Sequence, residues 1–181
     1  DRPGKLFDGL QNCRSTIFIV KRGQSNHMPQ TTGYQRWPTV SRNILFECFS
    51  FVAKAEDAQT GRIIAKHSDN KSLEVFRKIR QATARTLESS RSQRETSSFV
   101  FYQEATRYWA KATSILPYYA KNGIKSAPSH GRFIFFEDAS QANAATAILN
   151  SSLFYVFFIA YSDCFHLSDT IAGGFPVTSE L

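Results

Sequence analysis

The segment from residue 131 to residue 167 restricts the possible folds of this chain more than any other stretch. It opens with an aromatic and β-branched run at 132–136, which is typical of a buried strand. An Ala-rich run at 141–149 then predicts a helix, and the most apolar run of the chain, at 153–161, predicts a second one. We therefore expect one strand and two helices to form a compact apolar unit, around which the basic remainder of the chain is arranged.

Short polar stretches mark the ends of these predicted helices. Residues 137–140 offer capping side chains for the first helix. Asn150 suits a left-handed helix end, and the two serines that follow it suit the cap of the second helix. Ser162 and Asp163 then give the segment a polar exit. The sequence therefore predicts two helices that meet at residues 150–152.

The charges are divided unevenly along the chain. The net charge is +7, yet no Lys or Arg follows Arg132. Residues 133–181 hold five acids and carry −5, whereas residues 1–132 hold all 22 bases and ten acids and carry +12. A basic body joined to an acidic, apolar end suits a protein that packs with one part and meets a polyanion with the other. The alternative is a solvated basic surface that has no partner.

Length, cysteine content and apolar runs limit the class of protein. The 181 residues are enough for one domain, or one domain and part of another, and 16 Phe indicate a folded core. Three widely spaced cysteines without a C-x-x-C pair predict neither a disulfide framework nor a zinc site, so we expect a reducing cytoplasm. We find no signal-peptide pattern and no uninterrupted apolar run long enough for a bilayer. The chain starts at Asp1 and its only Met is Met28, so we expect a piece of a longer protein.

The rest of the chain predicts shorter elements. Residues 16–20 and 99–102 have the composition of buried strands, and residues 62–65 suggest a short strand. Helical spacing of apolar residues begins at Ser41, although alternate phenylalanines also permit a strand there.

One long basic helix, or two shorter ones, is predicted at 71–95. Its inner stripe is expected at Leu73, Phe76, Ile79, Thr83 and Leu87. Seven bases against three acids leave the segment at +4, which suits either a surface helix over the core or a face that touches phosphates. Further along, residues 121–132 predict a flexible, cationic loop that is long enough to enter a groove.

Catalytic and metal-binding motifs are missing from the sequence. It has no G-x-G or P-loop pattern, no H-E-x-x-H pair and no G-x-S-x-G elbow. The four histidines lie far apart, so each is expected to be a surface or structural residue rather than a ligand. The residues by themselves therefore predict no catalytic site and no metal site.

Several short blocks, taken in order, resemble one protein family. The blocks are RPGKLFDG at 2–9 with RSTIFI at 14–19, YQRW at 34–37 followed by Arg42 and Leu45-Phe46, RYWAKA at 107–112, and LNSSLFY at 149–155 followed by Ser162-Asp163 and His166-Leu167. Together they resemble the late part of gamma-class N6-adenine DNA methyltransferases. The similarity is to type IIG-like restriction–modification proteins, in which methylase, specificity and sometimes nuclease functions share one chain.

This resemblance implies a fold and a function. The implied fold is α/β to α+β, with residues 1–35 as the tail of the methyltransferase catalytic sheet and residues 36–181 as the DNA target-recognition region. The implied function is sequence-specific binding of double-stranded DNA in a bacterial cytoplasm. The implied parent is an S-adenosylmethionine-dependent, adenine-specific methyltransferase.

Two motifs of the resembled family are absent. Such enzymes hold S-adenosylmethionine with a glycine-containing loop and methylate with an Asn/Asp-Pro-Pro-Tyr/Phe motif, but all six prolines of this chain are isolated. The resemblance therefore implies that the catalytic half lies upstream of Asp1. We expect this fragment to hold no cofactor and no catalytic residue, and not to methylate DNA alone.

Basic and aromatic residues are the candidate DNA contacts. Arg reads guanine and anchors phosphates, Lys supplies a point charge, and aromatic rings fill the space beside an unstacked base. On these grounds we predict DNA contacts at Arg36, Trp37, Arg42, Arg77, Arg80, Arg107, Tyr108, Lys111, Lys121, Lys125 and Arg132. The alternatives are that Trp37 and Trp109 belong to the core, and that residues 150–152 are only a helix junction.

Two other functional classes stay open. One is a non-catalytic specificity or protein-interaction module, in which the apolar helix at 153–161 is an interface rather than core. The other is a small enzyme with an unrecognised site, although no group of residues in the sequence supports it.

Overall fold

The contacts within the chain divide it into two units, residues 1–73 and residues 74–181. The structure is a computed structural model and describes residues 16–19, 22–23, 30–35, 39–53, 59–60, 63–106, 109–126 and 128–178. Its described elements are short antiparallel sheets and helices, so the fold is mixed α+β. The domain boundary predicted after residue 35 stays a prediction.

Two strand pairs and a 3-10 helix form the described part of the first unit. The four strands make two antiparallel pairs, β1 (Gln30–Thr31) with β2 (Val52–Ala53), and β3 (Gln59–Thr60) with β4 (Ile63–Ile64). The helix predicted from Ser41 is the 3-10 helix Thr39–Cys48, which buries Leu45. The short strand predicted at 62–65 corresponds to β4.

Residues 16–19, predicted as part of a buried strand at 16–20, form no strand. Ile17, Phe18 and Ile19 are all exposed. The prediction was wrong because strand composition reports only how well side chains suit a pleated, half-buried surface. In the described part of the chain no strand pairs with these residues, so nothing provides that surface.

The basic segment predicted to be helical at 71–95 contains two helices of different kinds. Helix α1 (Asn70–Ala82) is followed by a short 3-10 turn at Leu87–Ser90. Of the predicted inner stripe, Phe76 and Leu87 are buried and the other three residues are half-buried. The helical spacing therefore located the inner face, but the continuous helix ends at Ala82.

A three-stranded antiparallel sheet lies at the centre of the second unit. The strands of this unit are β5 (Phe99–Gln103), β6 (Ala112–Thr113), β7 (Ala120–Lys121), β8 (Ile124–Lys125) and β9 (Gly131–Phe135). The sheet has the order β6–β5–β9, and β7 with β8 forms a separate hairpin. The strands predicted at 99–102 and 132–136 are thus confirmed as β5 and β9.

The two faces of this sheet carry different side chains. Because side chains alternate along a strand, Val100, Tyr102 and Ile134 share one face, where all three are buried. The opposite face carries four phenylalanines whose rings contact one another, namely Phe99, Phe101, Phe133 and Phe135. Both faces are apolar, which is why the strand sequences read as continuous hydrophobic runs.

Three helices follow the sheet, and the caps of the first two are side chains that the sequence indicated. They are α2 (Ala139–Leu149), α3 (Ser152–Tyr161) and α4 (Asp169–Gly173). The Asp138 carboxylate accepts a hydrogen bond from the backbone N–H of Gln141 at 2.9 Å, and the Ser151 hydroxyl accepts one from Phe154 at 3.1 Å. These bonds satisfy N–H groups that the first turn of a helix leaves unpaired.

Asn150 ends α2 in the right-handed region, with φ −91° and ψ 0°, and not in the predicted left-handed conformation. The backbone N–H groups of Asn150 and Ser151 donate to the carbonyls of Thr146 and Ile148 at 3.2 and 2.9 Å. The last turn of α2 therefore closes without a left-handed residue.

Helix α3 supplies much of the core of the second unit. Phe154, Phe157, Phe158 and Tyr161 are buried, and the ring of Phe76 from α1 lies 5.8 Å from that of Phe157. Burial of each phenylalanine contributes about 1.5–3 kcal/mol. The alternative in which this helix is an exposed interface is therefore wrong.

No single helix among the described residues is long and apolar enough to cross a membrane. Helices α2 and α3 reach the necessary length and composition only as a pair, and that pair is bent by 66°.

Candidate nucleic-acid interface

The predicted DNA contacts are spread over both units. Arg36, Trp37, Arg107 and Tyr108 lie outside the described residues, and Arg42 is exposed in the 3-10 helix of the first unit. The other six belong to the second unit, where Arg77 and Arg80 lie on α1. Lys111, Lys121 and Lys125 lie between β5 and β9, and Arg132 is the second residue of β9.

The chain between β5 and β9 concentrates positive charge. We call residues 104–132 the basic connection, and they hold five bases and one acid, a net charge of +4. The remainder of the second unit holds six bases and eight acids, a net charge of −2. Because β5 and β9 are antiparallel neighbours, the connection leaves and returns at the same end of the sheet. The excess positive charge of the unit is therefore concentrated in a single connection between two neighbouring strands.

The first residues of the basic connection are bonded to the segment 163–167. The backbone N–H and the hydroxyl of Thr106 both donate to the carbonyl of Phe165 at 3.0 Å. The N–H of Leu167 donates to the carbonyl of Glu104 at 2.8 Å. Thr106 and Leu167 are buried, so these bonds are shielded from water and hold the backbone in place.

Trp109 and Ala112 are held by the junction between α2 and α3. The indole of Trp109 stacks on Tyr155, with ring centroids 4.2 Å apart. The Asn150 side chain accepts from the N–H of Ala112 at 3.1 Å and donates to its carbonyl at 2.8 Å, as a neighbouring strand would. Trp109 is still 40% exposed, so it is not a fully buried core residue. Lys111 lies exposed between these two fixed points.

The residues predicted as a flexible loop at 121–132 begin with a hairpin. Asn122 (φ 53°) and Gly123 (φ 78°) form the two-residue turn between β7 and β8, and both positive angles are those of a type I′ turn. The prediction of a loop overlooked the Asn-Gly pair, which is a strong local hairpin signal. Lys121 faces Ile124 across the hairpin and Lys125 faces Ala120, so each face carries one lysine.

Large apolar side chains accompany these lysines on the surface. We call residues 114–126 the hairpin arm, and its exposed apolar residues are Ile115, Leu116, Tyr118 and Ile124. Tyr118 is 80% and Ile124 72% accessible. No acid occurs anywhere between Ala105 and Phe136. The hairpin arm therefore combines exposed apolar side chains with a local excess of positive charge.

Arg132 is engaged by the protein itself. Its Nε and Nη2 atoms donate to the same Glu104 oxygen at 3.3 and 3.1 Å, and this hydrogen bond raises the pKa of the Arg132 guanidinium. Beside this pair, the hydroxyl of Tyr102 donates to the Asp169 carboxylate, and burial raises the pKa of Tyr102. Arg132 therefore ties the start of β9 to the end of β5, and its contact with DNA stays a prediction.

The two predicted arginines of α1 also have partners within the second unit. Arg77 donates to Glu74 at 2.9 Å, and the guanidinium carbon of Arg80 lies 4.8 Å from the ring centroid of Tyr161, a cation–π contact. Both arginines are half-buried. The basic face of α1 is thus partly used in packing, and its contact with phosphates stays a prediction.

Asp163 and His166 support the basic connection, although the sequence predicted no such role for them. Asp163 accepts from the His166 ring at 2.8 Å and from the backbone N–H groups of Phe165 and His166 at 2.8 and 2.7 Å. Burial raises the pKa of Asp163, but the hydrogen bonds from His166 and Phe165 outweigh it and lower the pKa overall. The turn they form presents the Phe165 carbonyl to Thr106. Only the pairing of residues distant in sequence reveals this role.

Among the described residues, no three His, Cys, Asp or Glu side chains are grouped as a metal site. What the site offers is a rigid base, at Thr106, Trp109 and Ala112, from which a basic hairpin extends.

Compared with known proteins, the chain matches no protein-family model, no curated protein and no solved structure.

Proposed function

We propose that this chain is the DNA-recognition part of an adenine-specific DNA methyltransferase of a bacterial restriction–modification system. It binds double-stranded DNA sequence-specifically in the cytoplasm, while the missing N-terminal half, joined in cis, transfers a methyl group from S-adenosylmethionine. The observation that carries the proposal is the charge of +4 in the basic connection, against −2 in the rest of its unit. The ordered blocks that resemble methyltransferases name the reaction to which this binding belongs.

The shape of the hairpin arm favours duplex DNA as the partner. The major groove of B-DNA is about 12 Å wide and admits a two-stranded β-ribbon, and strands in a ribbon lie about 4.8 Å apart. A hairpin with one lysine on each face can approach the phosphates on both sides of the groove. Lys111 adds a third positive charge at the exposed base of the arm.

The cofactor is assigned to the missing half and not to this chain. Two of the described glycines leave no room for a bound cofactor, because a Cβ at Gly33 would lie 2.6 Å from Ser68 and one at Gly131 would lie 2.3 Å from Phe101. The protein's own atoms fill the space beside these glycines. We derive no step of methyl transfer from this chain, and the sequence upstream of Asp1 in the parent gene tests the assignment directly.

The binding itself is tested by its salt dependence. Neutralised phosphates release counterions, so the affinity for a labelled duplex should fall linearly with salt on a double-logarithmic plot. Replacing Lys121 and Lys125 by Ala should reduce the slope by about 1.8, because each phosphate contact contributes about 0.9. Fluorescence anisotropy over a range of salt concentrations measures this. The charge-preserving pair Lys121→Arg and Lys125→Arg is the control and should keep the slope.

A protein-interaction module is the second candidate, favoured by the exposed Ile115, Leu116 and Tyr118. It predicts that the folded chain has no affinity for duplex DNA, or an affinity that does not change with salt. Either result would contradict the proposal of DNA recognition.

A further inference from the structure

The geometry points to Ile124 as a specificity-determining residue that contacts the C5-methyl group of a thymine in the major groove. The inference rests on the proposed function, because it takes duplex DNA as the partner of the basic connection. It goes further by naming one residue and the base feature that this residue recognises.

The position of Ile124 is the first step of the argument. It follows the turn residues Asn122 and Gly123 directly, so it lies next to the tip of the hairpin. It is 72% accessible and lies on the same face as Lys121. Lys125, the next residue, lies on the opposite face. The exposed isoleucine next to the tip therefore lies between two lysines, one opposite it and one following it in the chain.

The chemistry of the groove is the second step. If the hairpin enters the groove tip first, Ile124, which directly follows the turn, comes close to the base edges, while the longer side chains of Lys121 and Lys125 reach phosphates. The major-groove edges present hydrogen-bond donors and acceptors, and the thymine methyl is their one apolar group. An isoleucine side chain has no hydrogen-bonding atom, so the methyl group is the feature it can recognise.

The charge pattern disfavours two other partners for this residue. Protein–protein interfaces are depleted in lysine, whereas two lysines adjoin Ile124 here. Segments that lie in a membrane surface keep their apolar and charged groups on separate faces. In the hairpin, Lys121 and Ile124 share one face.

The test begins with selection of tightly bound sequences from a random duplex pool by the wild-type chain. The selected duplex is then synthesised with deoxyuridine at each thymine in turn, which removes only the methyl group. We expect one or two of these changes to weaken wild-type binding about three- to fivefold, the effect of losing one buried methyl group. Ile124→Ala should bind the thymine and deoxyuridine duplexes equally, at the wild-type affinity for the deoxyuridine form.

Two controls separate base recognition from general effects. Ile124→Val keeps the branched apolar group near the base and should retain most of the preference for thymine. The salt dependence of Ile124→Ala should equal that of the wild type, because no charge is removed. Its thermal unfolding should also be unchanged, because the side chain is exposed.

The outcomes distinguish this inference from the proposal beneath it. If the wild type binds DNA in a salt-dependent way but does not distinguish thymine from deoxyuridine, the inference is overturned and DNA recognition stands. If Ile124→Ala weakens binding to both duplexes by the same factor, Ile124 is a general contact and the inference is also overturned. Absence of DNA binding overturns both, as does Ile124-dependent binding to vesicles containing phosphatidylserine in place of DNA.

Discussion

The Asn150 side chain connects two parts of the second unit that are far apart in sequence. Its amide donates to the carbonyls of Ala112 and Thr146 at 2.8 and 3.0 Å, and its oxygen accepts from the N–H of Ala112 at 3.1 Å. One side chain thus closes the end of α2 and pairs with the edge strand β6. At the scale of single residues, stability here depends on such satisfied polar groups.

Replacing Asn150 by Ala should lower the free energy of unfolding by about 1 kcal/mol, the usual net value of a hydrogen bond. The loss is no larger because the site is exposed, so water can replace some of the lost hydrogen bonds. Urea denaturation measures the change. Asn143→Ala is the matched control, because Asn143 is an exposed asparagine of the same helix, and it should change stability by less than about 0.5 kcal/mol. Equal effects of the two substitutions would contradict the role given to Asn150.

Replacing Asp163 by Asn should destabilise the fold near neutral pH but not in acid. A carboxylate whose pKa is lowered in the folded state stabilises the fold above its unfolded pKa of 3.8 and loses that contribution as the pH falls through the lowered value. The side chain is half exposed, so we expect a difference of at most about 1 kcal/mol at neutral pH. Urea denaturation at a series of pH values should show the two proteins converging below about pH 4. A gap that stays constant into acid would refute this account.

At the scale of elements, the hairpin arm and the helices gain their form from different sources. Helices α2 and α3 begin at side-chain caps and then bury apolar faces, so local and tertiary terms agree. The hairpin has few buried side chains, and its form depends on the turn at Asn122 and Gly123. A change in this turn should therefore act on the arm and leave the core intact.

Replacing Gly123 by Ala should disfavour the hairpin by about 1–2 kcal/mol, because a Cβ is strained at a φ of 78°. Global stability in urea should stay the same, whereas affinity for duplex DNA should fall under the proposed function. Asn122→Gly preserves a turn with positive φ and serves as the control, with nearly unchanged affinity. Loss of global stability on Gly123→Ala would show that the arm is part of the core.

At the scale of the whole molecule, the charge is unequal between and within the units. Residues 1–73 hold 11 bases and six acids, and residues 74–181 hold 11 bases and nine acids. Within the second unit the excess is confined to the basic connection, which contains the edge strand β6 and the hairpin arm. The acidic, apolar end of the chain forms helices α2, α3 and α4 and the core around them. The acidic C-terminal end thus supplies most of the packing, and the basic connection carries the excess positive charge, as the uneven charge distribution suggested.

Sequence by itself determined the elements that depend on neighbours within a few residues. The strand β9, the caps at Asp138 and Ser151, the helices α2 and α3 and the strand β5 are all recognisable from local patterns. The Asn-Gly turn is an equally local signal, and it would have predicted a hairpin at 120–125 in place of the loop. Such features are accessible because their energies come from short-range hydrogen bonds and from the period of apolar residues.

Tertiary structure alone decided which distant residues meet. The composition of residues 16–19 could not reveal that no described strand pairs with them, and the type of Asn150 could not reveal its bonds to Ala112. The basic connection joins two neighbouring strands only because β5 pairs with β9 from Phe99–Phe135 to Gln103–Gly131. Pairing between segments depends on the free energy of the whole assembled unit. A local sequence pattern therefore does not identify the segment with which a strand will pair.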